Sequence, residues 1–150
     1  MISAAPLRSA PAPALALGVA GLVPFAALTA LAHFQPEPWY AVWLTSLAQY
    51  GALILAFVGA LQWGYAAQSN LQGAQGWIRY GWSVMPALVG WASLQFPVWT
   101  ALRMQAAALF ITLAMDRRFA RAHGAPPWLM PLRYSLTAAG ASCLLAASYA

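Results

Sequence analysis

The chain carries almost no charge. Only 6% of its 150 residues are Asp, Glu, Lys or Arg, against about 25% in an ordinary soluble domain. Lysine is absent, and the acidic residues are Glu37 and Asp116 alone. So few charges cannot clothe a water-facing surface, but they suffice for a lipid-facing one. Cys143 is the single cysteine, which excludes an internal disulfide. Set in an apolar run, it reads as a small buried hydrophobe rather than a metal ligand. His33 and His123 are the only histidines. There is no HExxH, CxxC, GxSxG or phosphate-binding glycine loop. The sequence therefore predicts no enzyme and no bound metal or cofactor.

What is present is apolar length. Hydrophobic residues make up 63% of the chain, grouped in runs that suit membrane crossings of roughly 20 residues. The runs cover residues 14–34, 41–67, 80–96, 98–115 and 128–149. They are apolar nearly all round, unlike the one-sided stripe of a soluble helix. The expected fold is an all-α membrane bundle of about five helices, forming one domain over residues 14–150. Residues 1–13, with Arg8 and three prolines, read as a disordered lead. Arg8 and Ala30-Leu31-Ala32 fit a cleavable signal peptide, but the run between them exceeds a usual signal core, so a retained span is expected. Pro24 should bend span one, and Pro86 lies inside span three. Pro97 turns spans three and four into a hairpin. Residues 68–76 and 116–127 read as polar loops.

The basic excess, a formal +5, raises the question of nucleic acid. The arginines are dispersed or at helix ends, so membrane orientation explains them better, and no nucleic-acid partner is expected. Arg8, Arg79, Arg117, Arg118, Arg121 and Arg133 share one side of the membrane, and only Arg103 lies on the other. The positive-inside rule then puts the N-terminus in the cytoplasm and the C-terminus in the periplasm. The tryptophans agree. Trp39, Trp43 and Trp99 fall near the outer boundary, and Trp63, Trp77, Trp82 and Trp128 near the inner one. Trp91 falls mid-membrane, as a packing residue.

Polar residues in the runs are few. Arg103, about one turn into span four, must pair or snorkel. Glu37 lies on the same side, so a structural Arg103–Glu37 pair is expected. Asp116 and Arg133 flank the charged loop, where they can pair and pin spans four and five. The arginines around residues 116–133 should attract anionic lipid at about 1 kcal/mol each. Gln49, Gln62, Gln95 and Gln105 read as interhelical hydrogen-bonding groups; the alternative is a polar path through a small transporter or channel. Span two carries small residues at every fourth position, namely Ala48, Ala52, Ala56, Ala60 and Gly64, flanked by Gly51 and Gly59. Such a ladder admits close helix packing, internally or with a membrane-protein partner. Span five repeats it weakly through Ala138, Ser142 and Ala146. The two histidines fall at opposite membrane faces, about 30 Å apart, and cannot share a haem iron.

Several motifs together resemble a known family. They are Leu17-Gly-Val-Ala-Gly-Leu-Val-Pro24; Tyr50-Gly51 through Gly59, with Trp63-Gly64; Ser83-Val-Met-Pro86 with Trp91; and Asp116-Arg117, Pro127-Trp128 and Leu132-Arg133 with Thr137. Their order and spacing, over roughly residues 15–145, resemble the bacterial domain-of-unknown-function 3429 family, which is related to mitochondrial transmembrane protein 69. The resemblance implies a small multi-pass inner-membrane protein with span one in the mature fold. The family often has histidine just before the tryptophan of span two. Gln62 stands there in this chain, so a metal or proton role for that histidine does not carry over. The expected function is that of a non-enzymatic accessory or assembly factor.

Overall fold

A computed structural model describes residues 10–150. The described chain is all-helical: α1 (Ala12–Ala20), α2 (Leu22–Phe34), α3 (Trp39–Gln68), α4 (Gly73–Ser93), α5 (Val98–His123) and α6 (Leu129–Ala147). Helices α1 and α2 form one apolar rod interrupted at Gly21, so the architecture has five rods. Three of them, Ala12–Phe34, Trp39–Gln68 and Val98–His123, are long and apolar enough to cross a membrane. The other two carry more polar side chains, including Arg79 and Ser83 in α4 and Arg133, Ser135 and Thr137 in α6.

Helix α3 is the axis of the bundle, touching α2, α4, α5 and α6. Helices α2, α3, α5 and α6 enclose the apolar core, in which Phe25, Leu44, Leu47, Leu55, Leu102 and Leu144 are buried. Helix α4 lies against α3 and α5. Helix α1 buries none of its residues. The outer surface is greasy. Leu17, Leu53, Phe57, Trp77, Trp91 and Ile111 are all exposed, while Gln62, Arg79, Gln105, Asp116 and Arg133 are buried. Apolar outside and polar inside is the distribution that a hydrocarbon solvent selects; the protein is a membrane protein.

The rod breaks at Gly21, three residues before Pro24. Proline lacks the N–H that the helix ladder requires, and its ring crowds the preceding turn. The hydroxyl of Tyr50 donates to the Gly21 carbonyl at 2.8 Å, and the Phe25 and Tyr50 rings meet edge-on at 5.0 Å. The carbonyl that Pro24 deprives of a donor is that of Ala20, four residues back; Tyr50 braces the bend through the adjacent Gly21 carbonyl.

Several expected boundaries are corrected. The lead predicted over residues 1–13 falls partly on residues 1–9, outside the described residues; residues 12 and 13 already belong to α1. Pro13 is in its first turn, where a missing N–H is harmless. The loop expected over residues 68–76 contracts to residues 69–72. Gly76 is already helical and buried, and a Cβ there would lie 2.8 Å from the Leu71 carbonyl oxygen. The loop folds onto the helix only because residue 76 has no side chain. Helix α4 ends at Ser93, and residues 94–96 form a tight turn whose N–H groups bond the carbonyls of Trp91, Ala92 and Ser93.

The charged loop expected from Asp116 is instead the last two turns of α5. Residues 116–123 contain neither glycine nor proline, and Arg and Ala are strong helix formers. Asp116 and Phe119 point inward. The helix stops at Gly124, whose φ of 76° suits glycine. At 26 residues, α5 is about 39 Å long, so it outreaches a hydrocarbon core of about 30 Å. Its surplus carries the exposed Arg117, Arg118 and Arg121.

Candidate functional site

Helices α3 and α4 approach closely because small residues line their contact. A Cβ on Gly59 would lie 2.5 Å from the Ser83 carbonyl oxygen and 3.1 Å from the Pro86 ring. A Cβ on Gly90 would lie 3.0 Å from the Ala52 carbonyl oxygen. Gly51 is filled by the Gln105 side-chain carbonyl and by Leu144. Most of the α3 ladder is therefore covered by the chain's own helices. Only its far end, Ala60 and Gly64, faces outward, with open space around Gly64. The weaker ladder on α6, at Ala138, Ser142 and Ala146, is exposed throughout.

This close packing brings four polar residues from four helices together near the 69–72 and 124–128 loops. Arg133 donates from Nε and Nη2 to Asp116 Oδ2 at 2.9 and 2.7 Å. Gln62 Nε2 donates to Asp116 Oδ1 at 2.7 Å. Arg79 Nε donates to Gln62 Oε1 at 3.1 Å. The Arg79 guanidinium also lies 5.7 Å from the Tyr65 ring centroid and 5.4 Å from that of Phe119. All four residues are buried. Each stands one to two turns in from its helix end, so the cluster ties α3, α4, α5 and α6 at one end of the bundle. It holds two guanidiniums and one carboxylate, a net charge of +1. A cavity of about 20 Å³ adjoins it, lined by Gln62, Tyr65, Arg79, Asp116, Arg133 and neighbouring apolar residues.

A second polar cluster lies toward the other end. Gln105 Nε2 donates to the Ala48 carbonyl at 2.9 Å and to Ser93 Oγ at 2.8 Å. Ser93 Oγ donates in turn to the Gly90 carbonyl at 2.7 Å. An amide at a helix crossing satisfies a carbonyl and a hydroxyl, the pattern expected of a polar group in lipid.

The structure thus divides the residues singled out from the sequence. Gln62, Asp116 and Arg133 meet in the first cluster, and the Asp116–Arg133 pair forms as expected. Gly59, Ser83 and Pro86 meet at the α3–α4 crossing, Tyr50 serves the bend near Pro24, and Gly51 accommodates Gln105. Trp63 packs edge-on to Tyr80 at 4.9 Å. Thr137 is buried, its hydroxyl without a partner among the described residues. Trp128 is half-buried at the head of α6, while Gly64, Arg117 and Pro127 are exposed.

Three expectations are corrected. Arg103 does not pair with Glu37; among the described residues the only ion pair is Asp116–Arg133. Arg103 instead donates to the Ser148 hydroxyl and carbonyl, each at 3.3 Å, and stacks 4.9 Å from the Tyr149 ring. Carbonyls at a helix C-terminus attract a cation without requiring a carboxylate. Gln62 and Gln105 bond residues of other helices as expected, but Gln49 and Gln95 face outward, and the four glutamines do not converge. Trp91 is 64% exposed and is no packing residue of the core.

Sequence reasoning missed Arg79 as a site residue. Beside Trp77 it resembles an interfacial anchor. A signal was present: Arg79 is four residues before Ser83 and seven before Pro86, one and two turns along the α4 face that meets α3.

Comparison with known proteins agrees with this architecture. The family described as "Protein of unknown function (DUF3429)" matches residues 10–149. Transmembrane protein 69 of Xenopus tropicalis is 34% identical over 137 residues, covering 87% of this chain and 51% of that protein. Transmembrane protein 69 of Mus musculus is 33% identical over 90 residues, covering 60% of this chain and 36% of that protein. The matched region thus spans about half, or less, of the length of these relatives. No solved structure matches.

Proposed function

This chain belongs to the DUF3429 family, and we propose that it is a non-enzymatic accessory or assembly factor in a bacterial inner membrane. In this reading all five rods cross the bilayer, with the N-terminus cytoplasmic and the C-terminus periplasmic. The observation that carries the reading is the internal use of polar groups. Gln62, Arg79, Asp116 and Arg133 bond one another, Gln105 bonds Ser93 and Ala48, and the exterior left over is apolar and rich in aromatics. Such an exterior suits lipid and partner helices.

The outward small residues, Ala60 and Gly64 on α3 and Ala138, Ser142 and Ala146 on α6, are where a membrane-protein partner would approach closely. The exposed Arg117, Arg118 and Arg121 suit anionic headgroups of the cytoplasmic leaflet. A transporter with a glutamine-lined site draws less support, because its four glutamines do not converge. Affinity purification in mild detergent tests the proposal. A membrane protein recovered in stoichiometric amount is expected. A lone monomer that conducts a solute in liposomes would overturn it.

A further inference from the structure

The buried Gln62–Arg79–Asp116–Arg133 cluster has one donor too many. Both Asp116 oxygens are engaged, Oδ1 by Gln62 and Oδ2 by Arg133. The Gln62 carbonyl accepts from Arg79 Nε. Arg79 Nη1 is then left buried with no acceptor among the described residues, on a residue only 4% exposed. The rings of Tyr65 and Phe119 lie close to the guanidinium, so its remaining need is for an acceptor approaching the edge. Arg79 also lines the cavity of about 20 Å³. That is room for one water-sized atom or group.

Charge points the same way as space. Two guanidiniums face one carboxylate, and the cavity walls carry no other acidic side chain. A buried net cation is costly in a low-dielectric bundle. A water would accept the hydrogen bond and leave the charge. An anionic oxygen would answer both.

The geometry points to a binding site for one phosphate-type oxygen, held by Arg79 Nη1 in this cavity, the rest of the oxyanion lying toward Gly124 and Ala125 at the rim. The oxyanion is either the phosphate of a phospholipid in the adjoining leaflet or free inorganic phosphate. The site is separate from the exposed Arg117, Arg118 and Arg121, and it does not depend on the accessory role proposed above.

The test uses the full chain, purified and delipidated in neutral detergent. One arm titrates inorganic phosphate at constant ionic strength and follows the unfolding temperature. The other adds phosphatidylglycerol and counts retained lipid by native mass spectrometry. The expected result is saturable stabilisation or a one-to-one lipid adduct, in at least one arm. Arg79→Gln is expected to weaken it by about tenfold or more, the loss of a charge-assisted bond. The triple variant Arg117→Gln/Arg118→Gln/Arg121→Gln is expected to retain it. Ala125→Phe, at an exposed rim position, blocks the mouth without changing charge; it should also abolish binding and carries the test if Arg79→Gln does not fold. Response in the phosphate arm alone identifies a free anion, and in the lipid arm alone a headgroup. No response in either arm, or binding lost only in the triple variant, overturns the proposal and leaves water in the cavity.

Discussion

Removing the Asp116 carboxylate should be the most damaging single change to this bundle. Asp116 accepts three charge-assisted bonds at 2.7–2.9 Å, and the paired side chains of Arg133 and Asp116 are only 8% and 7% exposed. Asp116→Ala leaves Arg133 and Arg79 buried with no carboxylate between them. Breaking a buried pair from one side costs about 3–5 kcal/mol. Removing both partners costs less, because only the Arg79 cation then lacks a carboxylate: Asp116→Ala/Arg133→Met should be at least about 1 kcal/mol more stable than Asp116→Ala. Unfolding by titration of sodium dodecyl sulfate into mixed micelles, followed through the eight tryptophans, measures both variants. The reasoning is refuted if Asp116→Ala loses less than about 1 kcal/mol, or if the double variant is no more stable than the single.

The same assay checks the small-residue crossing. Gly59→Ala drives a methyl against the Ser83 carbonyl and the Pro86 ring, and should cost about 1–3 kcal/mol. Gly64→Ala meets open space and should gain up to about 1 kcal/mol of helix propensity; the reverse order would contradict the packing. Tyr50→Phe removes the hydroxyl bonded to the Gly21 carbonyl, for an expected loss of about 1 kcal/mol. An unchanged stability would mean that water or lipid already serves that carbonyl. Arg103→Gln should speed hydrogen exchange in the last turn of α6, which Arg103 holds through Ser148 and Tyr149, whereas Glu37→Gln should leave that turn unchanged.

The rods were legible because lipid demands long uncharged runs, and no soluble fold would read the same way. A proline just before a helix start, as Pro97 before α5, marks that boundary too. The boundary at Asp116 is not marked in this way, because in sequence a charge has the same appearance as the edge of the membrane. In fact the helix passes through it, and Arg133 neutralises the carboxylate from α6. That pair was legible because opposite charges flanked one loop. Arg103 and Glu37 have the same appearance, but sharing a membrane face does not make two residues neighbours around the bundle. Gln62 and Gln105 were identified as bonding groups, yet a periodicity gives no partners. Ser93 and Arg79 emerge only when α4 docks on α3 and α5. Gly51, Gly59 and Gly90 show why that docking is so close, and an alanine-rich sequence obscures their importance.

The proposed topology has five crossings, with the Arg79–Asp116–Arg133 end of the bundle facing the cytoplasm. Single cysteines at exposed positions, in a Cys143→Ser background, test this in intact cells with a membrane-impermeant maleimide. Gln35→Cys and Gln95→Cys should label, and Asn70→Cys and Arg121→Cys should stay protected until the cells are lysed. Equal labelling at residues 35 and 70 would contradict the account, because the helix joining them could not then cross the bilayer.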